Sequence, residues 1–195
     1  MDKILDLAAA NQQRARDVIR DCELEACWRS VGAEPNLVGS LRSGLLMTHR
    51  DIDFHIYSSP LRIADSFAAM SRLARHPRIR RIEYTNLLDA PDQCLEWHAW
   101  YEATDGEPWQ IDLIHMARGS AWEGYFERVA DRIAAVLTPE TRYAILKIKY
   151  DTPADQKIMG IEYYQAVIRD GVRSWEEFAA WRAKNPVTGI LEWMP

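Results

Sequence analysis

The sequence predicts an α/β (α+β) fold: a mixed α/β portion to about residue 118, carrying an N-terminal helix, then a helical C-terminal part over 119–195. Three features lead there. Asp51 to Tyr57 (DIDFHIY) alternates acidic or polar with apolar residues, the period of a strand with one buried face. Two runs rich in aromatic and β-branched residues, Cys94 to Ala103 and Pro108 to Met116, flank Thr104-Asp105-Gly106-Glu107, a hairpin signal. After Ser120 the pattern turns to helical spacing, punctuated by Pro153, Gly171 and Pro186.

The elements follow in order. Residues 2–31 read as one long amphipathic helix, with Ile4, Leu7, Ala8, Val18, Ile19 and Trp28 near helical spacing and Gly32 as its stop. Pro35 and Asn36 break the chain, and Leu37-Val38 begins a short strand. Leu41 to Met47 suits a short helix or turn. Pro60 opens a helix to about Arg75, with Pro77 just beyond it. Arg80 to Leu88 reads as extended. Helices are expected over Ala121–Leu137, Pro139–Tyr150, Gln156–Arg169 and Ser174–Lys184, the last opened by a capping box of Ser174 and Glu177.

Composition narrows the classes. The chain has 195 residues, 48% hydrophobic and 27% charged, with a formal net charge of −5. That acidity argues against a dedicated nucleic-acid binder, whose contact face is usually basic. Cys22, Cys27 and Cys94 fit neither a disulfide framework nor a zinc site. Asp2, Lys3 and Asp6 give the N-terminus a helical rather than a signal-peptide pattern, and no segment is apolar enough to span a bilayer. The expectation is a cytoplasmic protein.

The chemistry concentrates in Leu37 to Ser58. In a strand, Asp51, Asp53, His55 and Tyr57 share one face, and Ile52, Phe54 and Ile56 the other. Two carboxylates two residues apart repel. Solvent relieves this, as does a divalent cation, since hard carboxylate oxygens suit Mg²⁺. The preceding Gly39-Ser40 opens a turn after a strand, a place where backbone N–H groups and a hydroxyl can hold phosphate. Asp112, between Ile111 and Leu113, is a third acid in an apolar strand, where burial without a partner is costly.

Together Val38-Gly39-Ser40, Asp51-Ile52-Asp53-Phe54 and Ile111-Asp112-Leu113 resemble the DNA polymerase β-like nucleotidyltransferase superfamily, which includes antibiotic adenylyltransferases, tRNA-end polymerases and antitoxins. The resemblance covers about residues 35–116. It implies a nucleotidyltransferase-fold mixed sheet flanked by helices, and a nucleotidyltransferase enzyme. Asp51, Asp53 and Asp112 would then hold two Mg²⁺ ions, with Asp112 nearer the attacking hydroxyl. Gly39 and Ser40 would contact the triphosphate of ATP or another nucleoside triphosphate. Some family members grip the triphosphate with a basic residue from a helix after the third acid; Lys147 is the candidate and Lys149 the fallback.

Other residues carry alternatives. Arg42 could touch phosphate or be solvated surface, and Ser43, His49 and Arg50 could touch phosphate. His55 could be a ligand, a base or a histidine hydrogen-bonded at the cleft edge, the last favoured, and His115, on the opposite face from Asp112, reads as structural. A two-residue turn at Asp105-Gly106 would put Ala99 opposite Asp112, with Trp97 and Tyr101 either as aromatic walls or as aromatics packed under the C-terminal helices. A slip of one residue would put Glu96, His98 and Trp100 there instead. The expected reaction is Mg²⁺-dependent transfer of a nucleoside monophosphate, AMP foremost, to a small hydroxylated molecule. The alternatives are a non-catalytic, antitoxin-like member working through a protein partner, and transfer to a protein or tRNA end.

Overall fold

In the computed structural model, which describes residues 3–187 and 192–195, a five-stranded sheet backs one hydrophobic core and a second core lies among the helices. The chain begins with α1 (Lys3–Asp21) and α2 (Leu24–Arg29). These replace the single helix expected over 2–31, whose first residue, Asp2, lies outside the described residues. The break is at Glu23, in the left-handed region with φ 49°. The bend lets Leu24, Cys27 and Trp28 turn onto the sheet, where they are buried. Burial of a tryptophan and its neighbours outweighs the cost of one left-handed residue, roughly 1–2 kcal/mol.

The strands are β1 (Glu34–Leu37), β2 (Asp51–Ser58), β3 (Ile79–Leu87), β4 (Cys94–Glu102) and β5 (Pro108–Ala117), in the order β1-β2-β5-β4-β3. β2 and β5 run parallel, and every other pair is antiparallel. Pro35 and Asn36 do not break the chain; they lie within β1. β1 is an edge strand, and Val38 N–H donates to Asp53 O. By alternation Pro35 occupies a position whose N–H would point away from β2, so proline removes no ladder bond.

One face of the sheet presents Ile52, Phe54, Ile56, Trp97, Ala99, Ile111 and Leu113 to α1, α2 and α4 (Ile63–Leu73). This core contains Ala15, Val18, Trp28, Ala69, Met70 and Leu73. The opposite face carries the acids. Its far end is closed by Tyr57, Cys94 and Met116 with Trp122. α3 (Gly39–Arg42) links β1 to this face.

The second core joins α5 (Tyr125–Val136), α6 (Pro139–Asp151), α7 (Gly160–Tyr164) and α8 (Trp175–Lys184). α7 continues into a π-helical turn over Gln165–Arg169. Ile4 and Ala8 belong to this core, whereas Ala15 and Val18 belong to the first, so α1 joins the two. The expected capping box at α8 is half formed. Ser174 Oγ accepts from Glu177 N–H, but the Glu177 carboxylate accepts from Arg173 N–H at 2.7 Å. Among the described residues, no helix is long and apolar enough to cross a membrane.

Candidate functional site

Alternation along β2 and parallel pairing with β5 bring the three acids to one face. Asp53 is the register partner of Asp112, and Asp51 of Gln110. Neighbouring strands lie about 4.8 Å apart, so Asp53 and Asp112 are side by side. Gly39 closes the near side. It has φ 66°, and a Cβ there would stand 2.9 Å from Asp53 Cγ and closer still to Oδ2. The backbone thus approaches the carboxylate where any side chain would collide with it. Ser40 follows in the first turn of α3, and its hydroxyl makes no hydrogen bond to a described residue.

The carboxylates are poorly compensated. No hydrogen bond or ion pair from a described residue reaches the carboxylate of Asp51 or Asp53. Burial, then the charges of Asp112 and Asp51, push Asp53 up to about 7 from an ordinary 3.8. Asp51 is raised by burial and by Asp112, against opposing charges from His49, Lys149 and Lys157. Like-charged groups sharing a half-buried site are what a divalent cation relieves, and the donor set is hard oxygen. The close backbone approach at Gly39 adds a cradle. These residues therefore fit Mg²⁺. Among the described residues no three such side chains already stand at chelating separations. Asp112 is engaged otherwise: its Oδ1 lies 2.5 Å from His98 Nδ1 and 2.9 Å from Gln110 Nε2.

His98 lies on this face because the β-hairpin register differs from the one expected. His98, not Ala99, pairs with Asp112, and Trp100 pairs with Gln110. Ala103 N–H bonds to Glu107 O across a three-residue loop that ends in Gly106 at φ 83°. Asp105 is held in a two-bonded pair by Arg50 at 2.7 and 2.9 Å, and it accepts from Glu107 N–H. That pairing favours a three-residue loop with glycine in the left-handed position over the two-residue turn. A shift of one residue exchanges the faces. Trp97 and Tyr101 are therefore core residues, not walls of the site. Trp97 Nε1 donates to Ser66 Oγ at 2.9 Å, and Tyr101 OH to Asp21 at 2.5 Å. Glu96, His98 and Trp100 take the open face. The sequence carried this alternative in Ala103-Thr104-Asp105-Gly106, which suits either turn.

His98 Nε2 lies 2.7 Å from Glu96 Oε1, so the imidazole bridges two carboxylates. Burial disfavours the imidazolium, but the hydrogen bonds to Asp112 and Glu96 outweigh it and raise the pKa.

The cations separate clearly. Arg42 pairs with Asp131 of α5 through two hydrogen bonds at 2.7 and 2.8 Å and donates to Leu37 O. It ties α3 to α5. Lys147 pairs with Asp151 one helical turn along α6. Lys149 is the lysine whose charge acts on both Asp51 and Asp53. Its Nζ donates to Leu45 O at 3.0 Å and to Tyr164 OH at 3.2 Å. The fallback residue, not Lys147, faces the acids.

His55 lies farther along the acid face, packed edge-on against Phe126 at 4.8 Å, and its Nδ1 has no hydrogen-bond partner among the described residues. Burial lowers it to about 4, so it is neutral. It is a packed histidine, not a hydrogen-bonded one. His115, on the other face, is fully buried and bonds Ser58 Oγ at 2.7 Å, as a structural residue should.

No family model and no curated protein matches the sequence. Solved structures do match. The GLD-2/RNP-8 complex aligns at TM-score 0.59 and 13% identity, over 97% of this chain and 72% of that one. The non-canonical poly(A) polymerase complex GLD-2–GLD-3 aligns at 0.57 and 11%, over 86% and 58%. A structure of Cid1, described for its RNA terminal uridylyl transferase activity, aligns at 0.56 and 15%, over 80% and 46%. This chain thus spans about half the length of several structures it matches. The likeness is one of fold: a mixed sheet with flanking helices, the nucleotidyltransferase fold of these polymerases.

Proposed function

We propose that the chain is a Mg²⁺-dependent nucleotidyltransferase that moves a nucleoside monophosphate, AMP foremost, from a triphosphate to a hydroxyl. The observation that carries this reading is the meeting of Asp51, Asp53 and Asp112 on one face, with Gly39 against Asp53. In this reading Asp51, Asp53 and Asp112 hold the metal ions. Bound there, two ions would polarise the α-phosphate and stabilise the entering and leaving oxygens. The rest is the work of the chain. Gly39 and Ser40 border the triphosphate, and Lys149 neutralises its charge. The acceptor oxygen forms a bond to the α-phosphorus as the bond to the bridging oxygen breaks. Pyrophosphate leaves with the electron pair, and the acceptor proton passes to Asp112 Oδ2.

A small hydroxylated acceptor is favoured by the net charge of −5, which disfavours a polyanion. A second reading, transfer to an RNA 3′ end, is supported by the fold shared with poly(A) and terminal uridylyl polymerases.

Two measurements test this. Each common triphosphate at about 100 times its dissociation constant should stabilise the protein by about 2.7 kcal/mol with Mg²⁺, and much less with EDTA. For a chain of this size that corresponds to a rise of about 5–10 °C in Tm. Pyrophosphate release should then be screened against aminoglycosides, lincosamides, sugars and short RNA oligonucleotides. Release with a small acceptor supports the first reading, and release with RNA alone supports the second. No Tm shift with any triphosphate and no release would overturn both. Within this reading Lys149→Met should raise the KM for the triphosphate about tenfold, the loss of one charge-assisted contact of about 1.4 kcal/mol. Lys147→Met should leave KM within about twofold; the reverse ranking would restore Lys147 as the triphosphate ligand.

A further inference from the structure

We propose that His98 is a positioning residue for Asp112, an inference that rests on the nucleotidyl-transfer reading above. Nδ1 lies 2.5 Å from Asp112 Oδ1, and Nε2 lies 2.7 Å from Glu96 Oε1. Gln110 Nε2 reaches the same Oδ1 at 2.9 Å. Oδ1 therefore carries two hydrogen bonds, and Oδ2 carries none from a described residue. A carboxylate held at one oxygen by His98 of β4 and by Gln110 of its own strand β5 turns only by breaking both bonds. Its second oxygen is presented to whatever binds beside Asp53.

The residue types suit the task. Imidazole is a flat side chain with a hydrogen-bonding nitrogen on each edge, so one edge can be anchored while the other aims. Glu96 is the anchor. It lies two residues before His98 on β4, hence on the same face. The anchoring matters because Asp112 has repelling neighbours on β2. Without its donors the carboxylate would swing away from Asp53, and both metal binding and proton acceptance would lose their geometry. The side chains of Glu96, His98 and Asp112 are 31%, 25% and 24% exposed, so pairs of this kind add little to stability. Orientation is the effect that remains. Such partners of a ligating side chain typically alter metal affinity or activity by about 10–100-fold.

The test compares His98→Asn, His98→Gln and His98→Ala in the full chain. The Asn amide nitrogen takes the place of Nδ1, and the Gln amide nitrogen that of Nε2. Ala and Gln variants should lose kcat about 10–100-fold with the triphosphate KM within about twofold, and Asn should recover most of the loss. A second readout needs no turnover. Mn²⁺ titrated into the nucleotide-free protein, followed by the electron paramagnetic resonance signal of free Mn²⁺, should show affinity weakened in the same rank order. Equal kcat and Mn²⁺ affinity in all variants would overturn the proposal. So would equal losses in Asn, Gln and Ala accompanied by a falling Tm, the mark of a merely structural histidine. A wild-type protein that neither transfers nor binds Mn²⁺ would overturn the parent reading and this proposal together. An active wild type insensitive to His98 would overturn this proposal alone.

Discussion

Asp53→Asn is expected to abolish nucleotidyl transfer, by on the order of 10³-fold or more, and to leave the metal-free fold at least as stable as before. In the proposed reading the first effect follows from removing a ligand of a metal that would supply several kcal/mol of charge stabilisation to the transition state. The second is specific to this site. Asp53 is held at about 7 by burial and by Asp112 and Asp51, against an ordinary 3.8. Between those pH values the folded protein keeps the proton and the unfolded chain has released it. The folded state binds more protons, so stability falls as pH rises from about 4 to about 7. Asp51 shifts in the same direction and adds to the slope. In EDTA, the wild-type Tm should decline across that window, and the Asn variant should flatten the decline. A fall in Tm for Asp53→Asn at pH 8 would make this Asp a structural partner and remove it from the ligand set.

Gly39→Ala should impair both folding and transfer. Two costs combine. Alanine at φ 66° is strained by about 1–2 kcal/mol. Its Cβ would also stand 2.9 Å from Asp53 Cγ, so the carboxylate or the α3 backbone must move. Displacement of a reacting group by about 1 Å can cost 10²-fold in rate. We therefore expect a destabilisation of about 1–3 kcal/mol and a loss of transfer on the order of 10²-fold. Gly44→Ala is the control, because Gly44 has φ 73° but nothing lies within 4 Å of the added Cβ. It should lose comparable stability and keep its rate. If Gly39→Ala matches Gly44→Ala in activity, the close approach to Asp53 has no part in the chemistry.

How far the sequence could be read depends on the distance over which each feature is decided. The alternation of DIDFHIY places Asp51 and Asp53 on one face and Ile52, Phe54 and Ile56 in the core with no help from the rest of the chain. The same logic puts Asp112 and His115 on opposite faces of β5, and His115 is buried. Lys147 against Lys149 could not be settled that way. Helical periodicity shows which residues share a face, and the angle at which α6 meets the sheet chooses the face that looks toward the acids. The break at Glu23 escaped the pattern as well. No glycine or proline marks it, and burial of Trp28 against the sheet makes the bend favourable.

Local sequence alone was enough to place Asp51 and Asp53 on one face of β2 and to allow the positive φ of Gly39. A strand's two-residue period and a glycine's access to positive φ act within a few bonds, and no later packing alters them. Tertiary structure decided which residues stand beside the acids. The register of β4 on β5 turns on whether the loop holds two residues or three, a small difference in local energy. It is resolved by Arg50 gripping Asp105 from 55 residues away and by which face of β4 the helices bury. A one-residue choice of that kind exchanges Ala99, Trp97 and Tyr101 for His98, Glu96 and Trp100, because successive side chains of a strand point to opposite faces.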